Sequence, residues 1–307
     1  MRADIKLENS PRRRFIAVDW QDCTWQPRIE VRPAAPPQDV HSPRRNFILQ
    51  KTMKTTLPRS RRQRAGFTLV ELLTVIAIIG ILAALLLTVL AAAKRSALKA
   101  KAQTEMQGLV TAIQGYDSAY GRFPVSPAVQ AAAGANAGIA ASQNGDFTYG
   151  GTFQSPTGSQ SVGTLIAGSI MTNAEVIAIL MNLTNYPGGG ATVNANYQKN
   201  PQQTVFLSAR MSGDTSSPGV GTDLVYRDPW GNPYVITMDL NYDELCEDAF
   251  YELPAVSDNN LSALIKAPDG NYAYRGKVMV WSAGPDGAID KSNGAGTANK
   301  DNVLSWQ

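Results

Sequence analysis

The sequence predicts an α+β chain: one long N-terminal helix packed on a small antiparallel sheet, with an extended loop-rich insertion. Three observations carry this reading. Residues 72–93 are 22 uncharged positions rich in Leu, Ile, Val and Ala. Beyond them Leu98, Ala102, Met106, Leu109, Ile113, Tyr116 and Tyr120 recur at spacings of three and four, the period of one helix face. Short β-branched and aromatic runs bounded by Gly, Pro, Asn and Asp then follow toward the C-terminus, as strands and turns do.

The helix is expected over 67–119, apolar all round through 67–93 and amphipathic through 94–120. At about 1.5 Å per residue the uncharged run spans a hydrocarbon core of about 30 Å. A removable secretory signal has an apolar region of only about 7–15 residues, and this run is longer and continues into more helix. Lys54, Arg59, Arg61, Arg62 and Arg64 precede it and argue for a cytoplasmic N-terminal side. Lys94, Arg95, Lys99 and Lys101 follow it and weaken that bias. Glu71 sits at the start of the apolar stretch, where a carboxylate costs roughly 2.5–3.5 kcal/mol on insertion scales and marks a functional position. Gly121 and Pro124 end the helix.

Charge and composition exclude several functions. Of 28 Lys+Arg and 25 Asp+Glu in 307 residues, positions 1–66 hold 15 and 6, so the leading segment is +9 and the body −6. A basic nucleic-acid-binding body is therefore not expected. The one histidine is His41 and the two cysteines are Cys23 and Cys246. The body thus lacks the parts of a Ser-His-Asp triad, a Cys-His pair, a His or multi-Cys zinc site, or an internal disulfide. Asp243, Glu244, Glu247 and Asp248 cluster beside Cys246. They read as a solvated face or a contact for basic partners rather than an acid/base pair, and the chain is not expected to be an enzyme.

Residues 1–52 are Arg- and Pro-rich without apolar period. They read either as upstream sequence from a misassigned start or as a long disordered leader. Residues 121–222 form the insertion, read as loops with short strands near Phe147, Thr148 and Tyr149, or as a low-complexity linker. Thr172, Asn173, Ala174 and Glu175 have the spacing of a capping box and predict a short helix over 173–183. Thr204–Leu207, Leu224–Tyr226, Tyr234–Met238 and Lys277–Ser282 are strand candidates, most of them in the expected sheet region, 223–307. Asp228, Pro229, Trp230, Gly231, Asn232 and Pro233 read as a turn by composition.

Gly66-Phe67-Thr68-Leu69-Val70-Glu71, followed by the apolar run and preceded by the basic 53–66 leader, resembles the signal of type IV pilins and type II secretion pseudopilins. The resemblance implies a pilin-like fold and cleavage by a prepilin peptidase between Gly66 and Phe67. It also implies methylation of the new Phe67 amine, and assembly through Glu71, whose carboxylate would meet that amine in its own chain or a neighbour's. Gly80 matches the family as well; Thr88 stands where many members have Pro, which removes the expectation of a Pro kink.

Asp228, Pro229, Trp230 and Gly231, with Trp281, Gly284, Pro285, Asp286, Gly287 and the final Trp306, resemble the major G-type pseudopilin. The two resemblances cover about 53–113 and 223–307 and leave 124–221 unmatched. They imply a subunit of the bacterial inner membrane, N-terminus cytoplasmic and head periplasmic. It would polymerise with itself, beside other pseudopilins and the inner-membrane secretion platform, into a fibre that drives protein secretion. A type IV pilus subunit for adhesion, motility or DNA uptake is one alternative. A membrane-anchored binding module for glycan or protein is another. The G-type resemblance also implies one structural Ca²⁺ in the last loop, 284–302, with Asp286 and Asp301 the best matches and Asp290 a further oxygen donor. The same composition equally describes a turn-rich loop without an ion.

Overall fold

The computed structural model describes residues 66–134, 145–258, 263–267 and 269–307. Cys23, His41 and positions 53–65 of the expected leader lie outside the described residues.

Helix α1 (Leu69–Tyr120) is a single element of 52 residues, about 78 Å long at 1.5 Å per residue. Its C-terminus is closed by Gly121 at φ 64°, whose N–H donates to the Asp117 carbonyl at 2.7 Å; a left-handed cap of this kind suits glycine. The two halves of α1 live in different surroundings. Its large side chains from Leu69 to Leu90 are exposed, whereas Ala102, Met106, Leu109, Ala112, Ile113 and Tyr116 are buried. The expected stripe therefore becomes the spine of the head.

After α1 come α2 (Pro127–Gly134), β1 (Phe147–Tyr149), β2 (Gly151–Ser155), β3 (Gly158–Val162), β4 (Leu165–Ile166) and β5 (Ser169–Ile170). Next are α3 (Ala174–Leu180), β6 (Gly219–Val220), β7 (Tyr226–Arg227), β8 (Val235–Met238) and β9 (Leu245–Cys246). The chain closes with α4 (Pro254–Ser257), β10 (Leu264–Lys266), β11 (Tyr272–Arg275), β12 (Val278–Ser282) and β13 (Val303–Leu304). The main sheet has the order β1-β8-β12-β13 and is antiparallel throughout.

The sheet is buried on both faces, which explains its nearly continuous apolar strands. Ile236, Met238, Val278, Val280 and Val303 join the α1 residues in one core. Their neighbours in sequence, Val235, Met279, Trp281 and Leu304, point the other way into a second core with Phe153, Cys246, Phe250, Tyr251 and Trp306. Trp281 is stacked by Phe250 at 5.2 Å and Phe153 at 5.9 Å between ring centres. Beneath it the carboxylate of Asp248 accepts from Trp281 Nε1 at 3.1 Å, Thr237 Oγ1 at 2.6 Å, and the Phe250 and Tyr251 amides at 3.0 Å. Asp248 and Glu247 are buried while Asp243 and Glu244 are exposed, so half of the acidic cluster expected as a solvated face or a contact for basic partners is inside the head, and Asp248 ties the second core together. Cys246 is a free buried thiol, pushed well up by burial.

The insertion is welded to the rest of the head. β1, expected as a short strand among loops, is an edge of the main sheet through its pairing with β8. The helix expected over 173–183 runs Ala174–Leu180, and the capping box does not form: Asn173 makes no side-chain cap. Its amide instead bridges the C-terminal region, donating to the Tyr226 and Tyr234 carbonyls at 3.0 and 2.8 Å and accepting from Tyr226 N at 2.8 Å. The Glu175 carboxylate is likewise drawn away, accepting from Ser126 N at 2.6 Å and Tyr149 Oη at 2.7 Å. A buried group takes the partners that leave nothing unsatisfied, and tertiary partners outbid the local cap here.

The strand expected at Thr204–Leu207 does not form: these residues join no ladder among the described residues. The Phe206 and Leu207 amides donate to the Leu180 carbonyl at 2.9 and 3.1 Å, closing the end of α3. The Phe206 ring lies against Tyr116 and Tyr120 of α1 at 5.4 and 6.1 Å.

Candidate functional site

Three places carry the residues singled out by the sequence. At the N-terminus, Gly66 and Phe67 are exposed and precede α1, and among the described residues, chain neighbours aside, no atom lies within 4 Å of where a Gly66 side chain would begin. One feature here escaped the sequence reading. Thr68 and Glu71 form the capping box of α1: Glu71 accepts from Thr68 N and Oγ1 at 2.8 Å, and Glu71 N donates to Thr68 Oγ1 at 3.2 Å. The T-x-x-E spacing was its signal. The box satisfies amides at the helix start that the bilayer interior could not.

The second place is the turn before β8. Asp228 is fully buried and its Oδ1 accepts from Trp230 N and Asn232 N, each at 2.9 Å. Its Oδ2 accepts from Ser282 Oγ at 2.5 Å, and Ser282 Oγ in turn accepts from Gly284 N at 3.0 Å. Asn232 Nδ2 donates to the Gly284 carbonyl at 2.9 Å. Burial raises the Asp228 carboxyl and these hydrogen bonds pull it back. Pro229 is buried and Trp230 half-buried against the α1 core. Gly231 takes φ 98° where a Cβ would run 2.6 Å from the Ser216 carbonyl. The turn therefore clamps the end of β12, where the last loop leaves the sheet.

The third place is that loop. Gly284 has φ 70°, and a Cβ there would lie 3.2 Å from Asp301 Cγ, so the two ends of the loop are in contact. The structure brings Asp286 and Asp301 together: burial raises the Asp301 carboxyl, and the Asp286 carboxyl beside it adds to the rise. Asp301 Oδ1 and Asn302 Oδ1 are buried without a hydrogen-bond partner among the described residues. Paired carboxyls with orphaned buried oxygens fit a hard, oxygen-seeking cation. Asp290 is occupied elsewhere: its Oδ1 accepts from Ser292 N at 2.9 Å and Ser292 Oγ at 2.6 Å, which hold it below the usual carboxylate range. Among the described residues no group of three His, Cys, Asp or Glu is placed to hold a metal. Amide and backbone oxygens would have to complete any shell.

With this geometry in hand, comparison with known proteins bears on the N-terminal place alone. Residues 61–87 match the family model described as the prokaryotic N-terminal methylation motif. That stretch contains Gly66, Phe67 and Glu71 and most of the apolar run. The chain thus carries a prepilin-like N-terminal methylation motif that runs into a helix long and apolar enough to cross a membrane once. No curated protein and no solved structure matches the chain.

Proposed function

We propose that this chain is a prepilin whose leader is cut between Gly66 and Phe67, whose new amine is methylated, and which polymerises through α1 into a periplasmic pseudopilus of a type II secretion system. The observation that carries the reading is the pairing of the methylation motif with a helix exposed and apolar in one half and buried in a head in the other. A subunit built this way stores its apolar half in the bilayer and transfers it to the fibre. The basic 53–66 leader stays cytoplasmic and the head lies in the periplasm. The Asp228 turn and its coupling to the 284–302 loop support the G-type pseudopilin over a pilus subunit. Intact mass and N-terminal sequencing of the protein from its native membrane test the reading. A chain beginning at methylated Phe67 is expected; one retaining Met53 or Met1, or cut elsewhere, overturns it.

Calcium belongs to the same proposal. Asp286 and Asp301, with the Asn302 amide oxygen and backbone carbonyls, would hold it, and the ion would neutralise the carboxyl pair and fix the loop. Saturation at about 100 Kd stabilises a native state by about 2.7 kcal/mol, roughly 5–10 °C in Tm for a head of this size. Melting of the full chain in detergent is expected to rise by that amount in calcium over chelator, and Asp301→Ala to abolish the rise. Identical melting curves with and without calcium reject the ion.

A further inference from the structure

Charge is segregated along the molecule. Just past the uncharged run, Lys94, Arg95, Lys99 and Lys101 are all exposed. Residues 102–307 hold nine Lys+Arg against eighteen Asp+Glu, so the head is strongly acidic above a basic neck. Lys101 pairs with Glu105 at 3.7 Å. Lys94, Arg95 and Lys99 have no acidic partner among the described residues.

Depth separates the paired cation from the unpaired ones. At about 1.5 Å per residue, Lys94 to Lys99 fall within about 9 Å of Ala93, and Lys101 about 12 Å away. The polar layer outside a 30 Å hydrocarbon core is about 5–8 Å thick, and Lys and Arg side chains reach back along apolar surface with their charge in the polar layer. Lys94, Arg95 and Lys99 spread over about 140° of the helix circumference at 3.6 residues per turn, wide for one protein groove and suited to a ring of small anions.

We propose that Lys94, Arg95 and Lys99 form a collar that binds the headgroups of anionic phospholipids in the leaflet on the head side. The collar fixes the depth of α1, and the acidic head is repelled from the same surface and stands off it. The proposal rests on α1 spanning the bilayer.

The test places single copies of the full chain in nanodiscs of phosphatidylcholine, with or without phosphatidylglycerol, and follows amine-reactive labelling by mass spectrometry. Lys94 and Lys99 are expected to label about fivefold more slowly in the anionic discs, the ratio that ~1 kcal/mol per basic residue at a charged surface corresponds to. Lys101 and Lys300 serve as internal references and are expected to change far less. Equal labelling in both lipids overturns the collar. Protection in both lipids that grows with copies per disc also overturns it and assigns the cations to a neighbouring subunit's acidic head. A chain whose 72–93 segment is open to protease in the discs does not span, and that outcome removes the membrane reading and the collar together.

Discussion

Glu71→Ala is expected to insert into the membrane as well as the unaltered chain does, yet to form at least a hundredfold less fibre, read by cross-linking against membrane fractionation. Insertion is spared because alanine removes a carboxylate that costs roughly 2.5–3.5 kcal/mol in the apolar layer. Fibre formation fails because the cut at Gly66 would leave an ammonium at Phe67, one helical turn from Glu71. In a fibre packed through apolar helices that ammonium is buried, and removing one partner of a buried ion pair costs about 3–5 kcal/mol. The low end of that range is already a factor of about a hundred in an equilibrium constant.

The capping box gives the test a second arm. Glu71 takes two hydrogen bonds from Thr68 at 2.8 Å, so Glu71→Ala also weakens the start of α1, by about 1 kcal/mol for a lost cap. Gln serves at this box position as Glu does and carries no charge. Glu71→Gln is therefore expected to keep the helix start and still lose the fibre. If Glu71→Gln assembles normally, the carboxylate acts as a cap and its charge plays no part in assembly.

The long-range plan of the head could be read from spacing because one force dominates there. Burial of the stripe from Ala102 to Tyr116 is worth about 1.5–3 kcal/mol per large side chain, and no competing partner redirects it. Gly121 stopped the helix as expected because only its own left-handed conformation was involved. Polar residues were harder to place, since their partners are distant in sequence. Thr172 and Glu175 have the local spacing of a cap, but Ser126 and Tyr149 claim Glu175 from 49 and 26 positions away and Tyr226 claims Asn173 from 53. Asp248 looked like surface charge because its amide, hydroxyl and indole donors converge only once β8 and β12 are side by side. Of the candidate site, Asp286 and Asp301 were singled out only through a resemblance to calcium-binding positions, and their proximity across the loop shows only in the fold. The separation of Asp290 was not foreseen, because an Asp two residues before Ser292 satisfies itself in its own turn.

The head's stability is expected to fall as pH rises from about 5 to 8, opposite to the trend set by salt-bridged carboxylates. Asp146 is almost wholly buried and its carboxyl is pushed up to about 9, first by burial, against the Glu247 amide that donates to it at 2.5 Å, and further by the charges of Asp239, Asp243 and Glu247. Glu252 is pushed up to about 8 by burial, with Asp248, Glu247 and Asp269 adding and Lys291 opposing. In the unfolded chain both groups release their protons near pH 4. Between that pH and the folded values the native state binds protons that the unfolded state has lost, so each group removes up to about 1.4 kcal/mol of stability per pH unit. The stabilising contribution of both is fully present below about pH 4 and is gone once pH passes the folded values. The carboxyls that shift down, Asp214, Asp223 and Asp290, change protonation only below pH 4 and leave this window untouched. Urea unfolding at pH 5.5 and 8.5 is expected to give a markedly lower midpoint at the higher pH. Asp146→Asn, which resembles the protonated carboxyl in shape and charge, is expected to flatten the dependence and stabilise the head at pH 8.5. Equal midpoints at the two pH values would mean that these carboxyls are ionised in the folded head, and that a cation or water the side chains do not supply reaches them.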